Sequence, residues 1–191
     1  MVATLTLLRP DQSKAGTDEP VYYFAYGSNS PSQLAERLGH HVKSLGKARL
    51  PGYRFVYMGR SVKWGSATAN VIAVGQYQFS EVWGVLYELT KSDISRLDDF
   101  EGVKLGEDNE GHQIGRYFRI EEQILLSDRY LSAYLYVLTG HLSIDRELRP
   151  PSRAYLLSVI EMALTHGFPR DYIERVLMPT ICWDSEIIRP G

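Results

Sequence analysis

The chain holds one cysteine, Cys182, in 191 residues. A lone thiol can close no internal disulfide and cannot build a thiolate zinc cluster, so a reducing compartment is expected. A basic excess is missing too. Lys and Arg number 21 against 23 Asp and Glu, a net charge of −2, which leaves no surplus of cations to neutralise nucleic-acid phosphates. No run approaches the roughly 18 apolar residues of a membrane-crossing helix, and no basic leader with a long apolar stretch opens the chain. The expectation is a soluble cytoplasmic protein that engages neither nucleic acid nor membrane. Burial drive is not lacking: 44% of residues are apolar and 23% charged, which is globular composition at the length of about one domain.

Strict chemical signatures are also missing. There is no Walker A sequence, no dinucleotide glycine fingerprint and no HExxH. Gly59-Arg60-Ser61-Val62-Lys63 approaches a nucleophile elbow, but Lys63 stands where the sharp turn needs a small residue. The five histidines, His40, His41, His112, His141 and His166, are scattered and read as surface or loop residues; Cys182, between Ile181 and Trp183, reads as a packed apolar side chain. No metal site and no cofactor are expected.

Three zones are expected: an arm over 1–20, one domain over 21–184 and a tail over 185–191. The domain opens on Val21-Tyr22-Tyr23-Phe24-Ala25-Tyr26, an aromatic, β-favouring run that stops at Gly27. Ser30, Pro31 and Gln33 then spell an N-cap, a proline in the first turn and the reciprocal arm of a capping box. Strands are predicted at 43–50, 53–58, 67–74, 82–89, 117–125 and 130–138. Thr90 and Asp93 form a second capping box for a helix ending near Phe100, Ser152 caps a longer helix running to Gly167, and Pro169 starts a last one through Leu177. The stretch Gly106 to Gly115, rich in Glu, Asp, Asn and Gly, looks like an insertion.

Two places carry chemical promise. In Tyr26-Gly27-Ser28-Asn29, Gly27 can take positive φ and let the backbone close on a ligand, while the N–H groups that follow and the positive end of the capped helix face the same space. Such a bend makes a small anion pocket, or else an ordinary strand-to-helix turn. The second place is Leu97-Asp98-Asp99-Phe100-Glu101-Gly102, where three acids crowd the C-terminal end of a helix against the macrodipole. Asp98 and Asp99 fit a solvated face. Glu101 lies between Phe100 and Val103, beside a glycine that admits close backbone approach, and is the candidate general base.

Taken in order, these segments resemble the γ-glutamylcyclotransferase-like family over roughly residues 21–178. The resemblance rests on Tyr23-Phe24-Ala25-Tyr26-Gly27-Ser28-Asn29, on Val82-Trp83-Gly84-Val85-Leu86-Tyr87-Glu88-Leu89, on Leu97 through Gly102, on Ser132-Ala133-Tyr134-Leu135 and on Pro151-Ser152-Arg153-Ala154-Tyr155. Asn29 sets it apart from the ChaC-type branch, where the first motif runs Gly-Tyr-Gly-Ser-Leu. The resemblance implies an α+β fold, a small closed mixed β-barrel with flanking helices. It also implies cyclisation of a small-molecule γ-glutamyl substrate to 5-oxoproline with release of an amine, without metal or cofactor, in a monomer or homodimer. Glu101 matches the family's catalytic carboxylate, and Tyr23, Phe24, Ala25, Tyr26, Gly27 and Ser28 match its substrate loop, which Asn29 completes. Tyr117, Tyr134 and Tyr155 match tyrosines that line such pockets. Ser30-Pro31 stands where Leu is commoner after the Asn, Lys63 through Thr68 matches the Gly-Gly-x-Ala-Thr pattern only loosely, and the 106–115 stretch lengthens the link from Glu101 to Tyr117. These departures keep two other readings open: the same pocket acting on a γ-glutamylated biosynthetic intermediate or in another proton transfer, and a non-catalytic small-molecule binding domain.

Overall fold

A computed structural model describes residues 19–74, 80–104, 115–138 and 148–178. The expected arm (save its last two residues), the tail, Cys182, His112, His141 and nearly all of the 106–115 stretch lie outside the described residues.

Five strands close into a mixed barrel in the order β1 (Val21–Ala25), β5 (Glu81–Leu89), β2 (Lys43–Pro51), β6 (Tyr117–Leu126), β7 (Arg129–Leu138). Every pairing is antiparallel except the closing one, in which β1 runs parallel to β7 with Tyr23 opposite Tyr134. β3 (Tyr53–Met58) and β4 (Thr68–Ala73) form a separate hairpin sheet. The predicted strands thus exist within one or two residues, and the sequence pattern had left open only which of them the barrel excludes.

The barrel's interior is built from strand residues whose side chains alternate inward. Phe24, Val82, Leu86, Ile124 and Leu135 are essentially without solvent exposure. Gly84 makes room for this packing. A Cβ there would stand 2.4 Å from Phe24 Cζ and 2.6 Å from the Ala25 carbonyl oxygen, closer than any side chain tolerates.

Helix α1 (Pro31–Leu38) begins as its sequence predicts, with Ser30 Oγ accepting the Gln33 N–H at 3.3 Å. The reciprocal arm is not made: Gln33 Oε1 is buried without a partner among the described residues. In α2 (Lys91–Glu101) the box closes both ways, between Thr90 and Asp93, and Gly102 ends the helix in the left-handed region at φ 68°. Gly102 is therefore glycine for its backbone conformation, with nothing near its missing Cβ among the described residues. The close approach belongs to Gly115, whose Cβ would lie 2.2 Å from the Gly102 carbonyl oxygen. α3 (Arg153–Thr165) is capped by Ser152. The helix expected over 169–177 keeps α geometry only in α4 (Arg170–Tyr172) and continues as a π-helix, Ile173–Leu177, with both end residues buried.

Candidate active site

Where β1 runs out into α1, a cavity of about 240 Å³ opens between that bend, the end of α2, β4, the start of β6, β7 and the start of α3. Tyr23, Tyr26, Gly27, Ser28, Asn29, Glu101, Tyr117 and Tyr155, eight of the eleven residues expected at a site, line it together. They come from four separate elements and span 133 positions of sequence, from 23 to 155. The other three do not reach it. Phe24 and Ala25 are buried core side chains: alternation turns Phe24 to the face opposite Tyr23, while Ala25 is packed in the core outside the cavity lining. Tyr134 is part-buried outside the cavity lining, with the Arg119 guanidinium over its ring at 5.0 Å. The tyrosine that β7 does contribute is Tyr136, two residues further along, 4% exposed and held beneath α2 by hydrogen bonds to Asp98 Oδ1 (2.9 Å) and the Ile94 carbonyl (3.4 Å).

Gly27 does not have positive φ. Its constraint is space: a Cβ would meet the Tyr155 hydroxyl at 3.2 Å and Ala69 Cβ at 3.3 Å. That close approach packs the bend against Tyr155, whose oxygen accepts the Ala69 N–H at 2.9 Å. The Ser28 hydroxyl also donates toward this oxygen, which leaves the Tyr155 proton for a ligand. Tyr23 is arranged alike, its oxygen accepting from Asn29 Nδ2 at 2.6 Å, with no acceptor for its own proton among the described residues. Burial pushes the Tyr23, Tyr26, Tyr136 and Tyr155 hydroxyls well above the ordinary phenol range, and the nearby Glu101 charge adds to each shift. All four stay neutral near pH 7. Tyr26 spends its proton on the Tyr136 carbonyl and Tyr136 bonds Asp98, so of these four Tyr23 and Tyr155 are the donors left for a ligand.

Glu101 is the one acid in the lining, among the described residues, beside the cations Arg37, Lys63 and Arg116. Its side chain is 17% exposed, and Oε1 accepts from Arg37 Nη1 at 2.8 Å. The expected setting was apolar on both sides. In fact Phe100 is more than half exposed, Val103 alone packs against the core, and a guanidinium supplies the close contact. Asp98 departs from expectation as well: it is part-buried, bonded to Arg119 and to Tyr136 rather than solvated, whereas Asp99 is exposed. Neither arginine carries a local sequence signal, because each lies far along the chain from the acid it meets.

The lining holds serine hydroxyls but no histidine or cysteine among the described residues. What the cavity offers is a carboxylate that can carry a proton, neutral phenol donors and the backbone of the Tyr26–Asn29 bend.

Known proteins share this chain's sequence pattern and fold. The model of the AIG2-like family fits residues 81–176. The chain is 30% identical to mouse γ-glutamylcyclotransferase over 168 residues, covering 83% of this chain and 78% of that protein. It is 28% identical to the human γ-glutamylcyclotransferase over 165 residues, covering 84% and 80%. A solved γ-glutamyl cyclotransferase superposes with a TM-score of 0.67 at 25% identity, over 83% of this chain and 86% of that one. With family model, sequence and fold in agreement, the chain belongs to the AIG2-like, γ-glutamylcyclotransferase-like family.

Proposed function

We propose that the protein cyclises a γ-glutamyl group to 5-oxoproline and releases the amine it was joined to, with Glu101 carrying the proton. The observation that supports this reading is a single carboxylate, Glu101, in the cavity formed by the Tyr26–Asn29 bend, with no cysteine or histidine in the lining among the described residues.

The chemistry explains why none is needed. The substrate's α-amine lies within its own chain of the γ-carbonyl and closes a five-membered ring on it. Well-oriented intramolecular attacks reach effective molarities of about 10⁵ to 10⁸ M, so folding the glutamyl chain back on itself is a large share of the task. A 240 Å³ cavity suits a folded glutamyl group better than an extended peptide.

An α-ammonium, with a pKa of about 8, cannot attack until it gives up a proton. Glu101 takes protons from this nitrogen as the new C–N bond forms, and returns them to the departing nitrogen as the old C–N bond breaks. The ammonium loses two protons on becoming the lactam N–H, and the amine departs with both, as an ammonium. No oxidant, water or other reactant is consumed. In this reading the Tyr23 and Tyr155 hydroxyls, both in the cavity lining, donate to the substrate carboxylate or to the oxyanion of the tetrahedral intermediate.

The test is a panel of γ-glutamyl dipeptides, γ-glutamylamines and γ-glutamyl-ε-lysine, read by 5-oxoproline formation. Turnover of at least one compound is expected, and the one preferred identifies the leaving amine. Tight binding without product across the panel would favour a non-catalytic binding domain instead.

A further inference from the structure

We infer that Arg37 is a positioning residue, fixing one oxygen of Glu101 so that the other handles the proton; as a statement about turnover this rests on the cyclisation proposed above. Glu101 is the last residue of α2, where the partial negative charge of the helix end disfavours a carboxylate. Nothing within α2 offsets that, since its last turn contains no basic residue. The offset comes from another helix. Arg37, in the last turn of α1, reaches Glu101 Oε1 at 2.8 Å, while its guanidinium lies over the Phe100 ring at 5.5 Å. Phe100, 57% exposed, offers its ring face to this guanidinium, a cation–π contact that adds to the hydrogen bond.

The arginine is itself anchored. Arg96 of α2 donates to the Leu38 carbonyl at 2.7 Å and to the Arg37 carbonyl at 3.3 Å, tying the end of α1 to the helix that carries Glu101. Both partners are mostly buried, 20% and 17% exposed by side chain. Pinning one oxygen removes the rotational freedom of a carboxylate that has no other hydrogen bond among the described residues. Oε2 then presents one geometry to the amine it deprotonates and the nitrogen it reprotonates. A donor fork is suited to that task because its contact is directional, whereas a lysine would supply a point charge.

The experiment compares Arg37→Met, Arg37→Lys and His40→Ala with wild type, on whichever γ-glutamyl compound the wild type turns over. Arg37→Met should lower kcat by about 10²-fold, as expected when a reacting group is misplaced by about 1 Å, with KM nearly unchanged. Arg37→Lys should recover part of that loss. His40→Ala removes a different contact between the α1 end and α2, the 2.7 Å bond to Asp93, and should change melting temperature but not kcat. Unchanged kcat in Arg37→Met would overturn the inference. So would a rise in KM at constant kcat, which would make Arg37 a direct ligand of the substrate. A readout free of turnover accompanies these: side-chain NMR order of ¹³C-labelled Glu101, its signal assigned with Glu101→Gln. Order should fall in Arg37→Met, and undiminished order would refute the positioning role. If the wild type turns over nothing while order falls as expected, the positioning role stands and the proposed reaction is what fails.

Discussion

At the bend after β1 each residue suits its local conformation: Gly27, Ser28 and Asn29 are turn formers, Ser30 caps α1, and Pro31 occupies the first turn. At the end of α2 the residues oppose theirs, with Asp98, Asp99 and Glu101 gathered where a helix carries negative potential. The two segments line one cavity. The first could be placed by local rules alone, whereas the second is tolerable only because Arg37 from α1 and Arg119 from β6 meet two of its three acids. Where a sequence breaks a local rule and distant residues compensate, the strain marks a place kept for function. The remaining acid, Asp99, is exposed and breaks the rule at little cost.

This contrast can be broken from either side. The largest effect is expected beneath the bend, from Gly84→Ala. Its Cβ would overlap Phe24 and the Ala25 carbonyl, and overpacking against backbone should cost about 3 kcal/mol, read as a lower urea midpoint with partial loss of soluble protein. An unchanged midpoint would mean that β1 can shift freely. Next comes Asp98→Ala, which leaves the part-buried Arg119 and Tyr136 hydroxyl without their shared partner; about 2 kcal/mol of stability should be lost. If Asp98 were merely solvated, nothing would change. Gly27→Ala should leave the fold intact, since φ is ordinary there, and raise KM several-fold by pushing Tyr155 and Ala69 out of contact distance. Normal kinetics would show that the bend tolerates a methyl group.

The smallest effect is a pH dependence. Hydrogen bonds to Asp93 and to the His41 carbonyl raise the His40 imidazole above its ordinary value. Burial alone would raise Asp93, but hydrogen bonds from His40 and Thr90 outweigh it and hold that carboxyl below its ordinary value. Folding therefore favours the imidazolium: its contribution is complete below a pH of about 6.5 and disappears as pH rises past the raised value. Asp93 contributes above a pH of about 3.9, and that contribution is lost as pH falls through its lowered value. His40→Gln should thus destabilise near pH 5.5 and much less at pH 9, by under about 1 kcal/mol because His40 is half exposed. Equal destabilisation at both values would remove His40 from this account.

Strands, caps and the glycine bend were legible because each depends on a few consecutive residues. Thr90 and Asp93 are three apart, and the run Val21 to Ala25 announces its own strand. Partnerships across the fold were not legible. Arg37 is 64 positions from Glu101 and shares no pattern with it. The choice of tyrosine on β7 failed for a related reason: alternation says that Tyr134 and Tyr136 lie on one side of the strand, but only the placement of α2 and Arg119 decides that Tyr136 meets the cavity. Gly27 is expected to take positive φ and close on a ligand; its φ is ordinary and its near neighbours are Tyr155 and Ala69, because packing across the fold cannot be seen from a turn sequence.

The most direct test is a single-turnover reaction with protein in excess over a γ-glutamyl compound, run in parallel on wild type and Glu101→Gln, with calorimetric binding of the same compound to the variant. The amide keeps the shape of the side chain and cannot carry the proton. The account predicts 5-oxoproline from the wild type, and ligand bound but uncyclised in the variant. Product forming at a comparable rate in Glu101→Gln would contradict it.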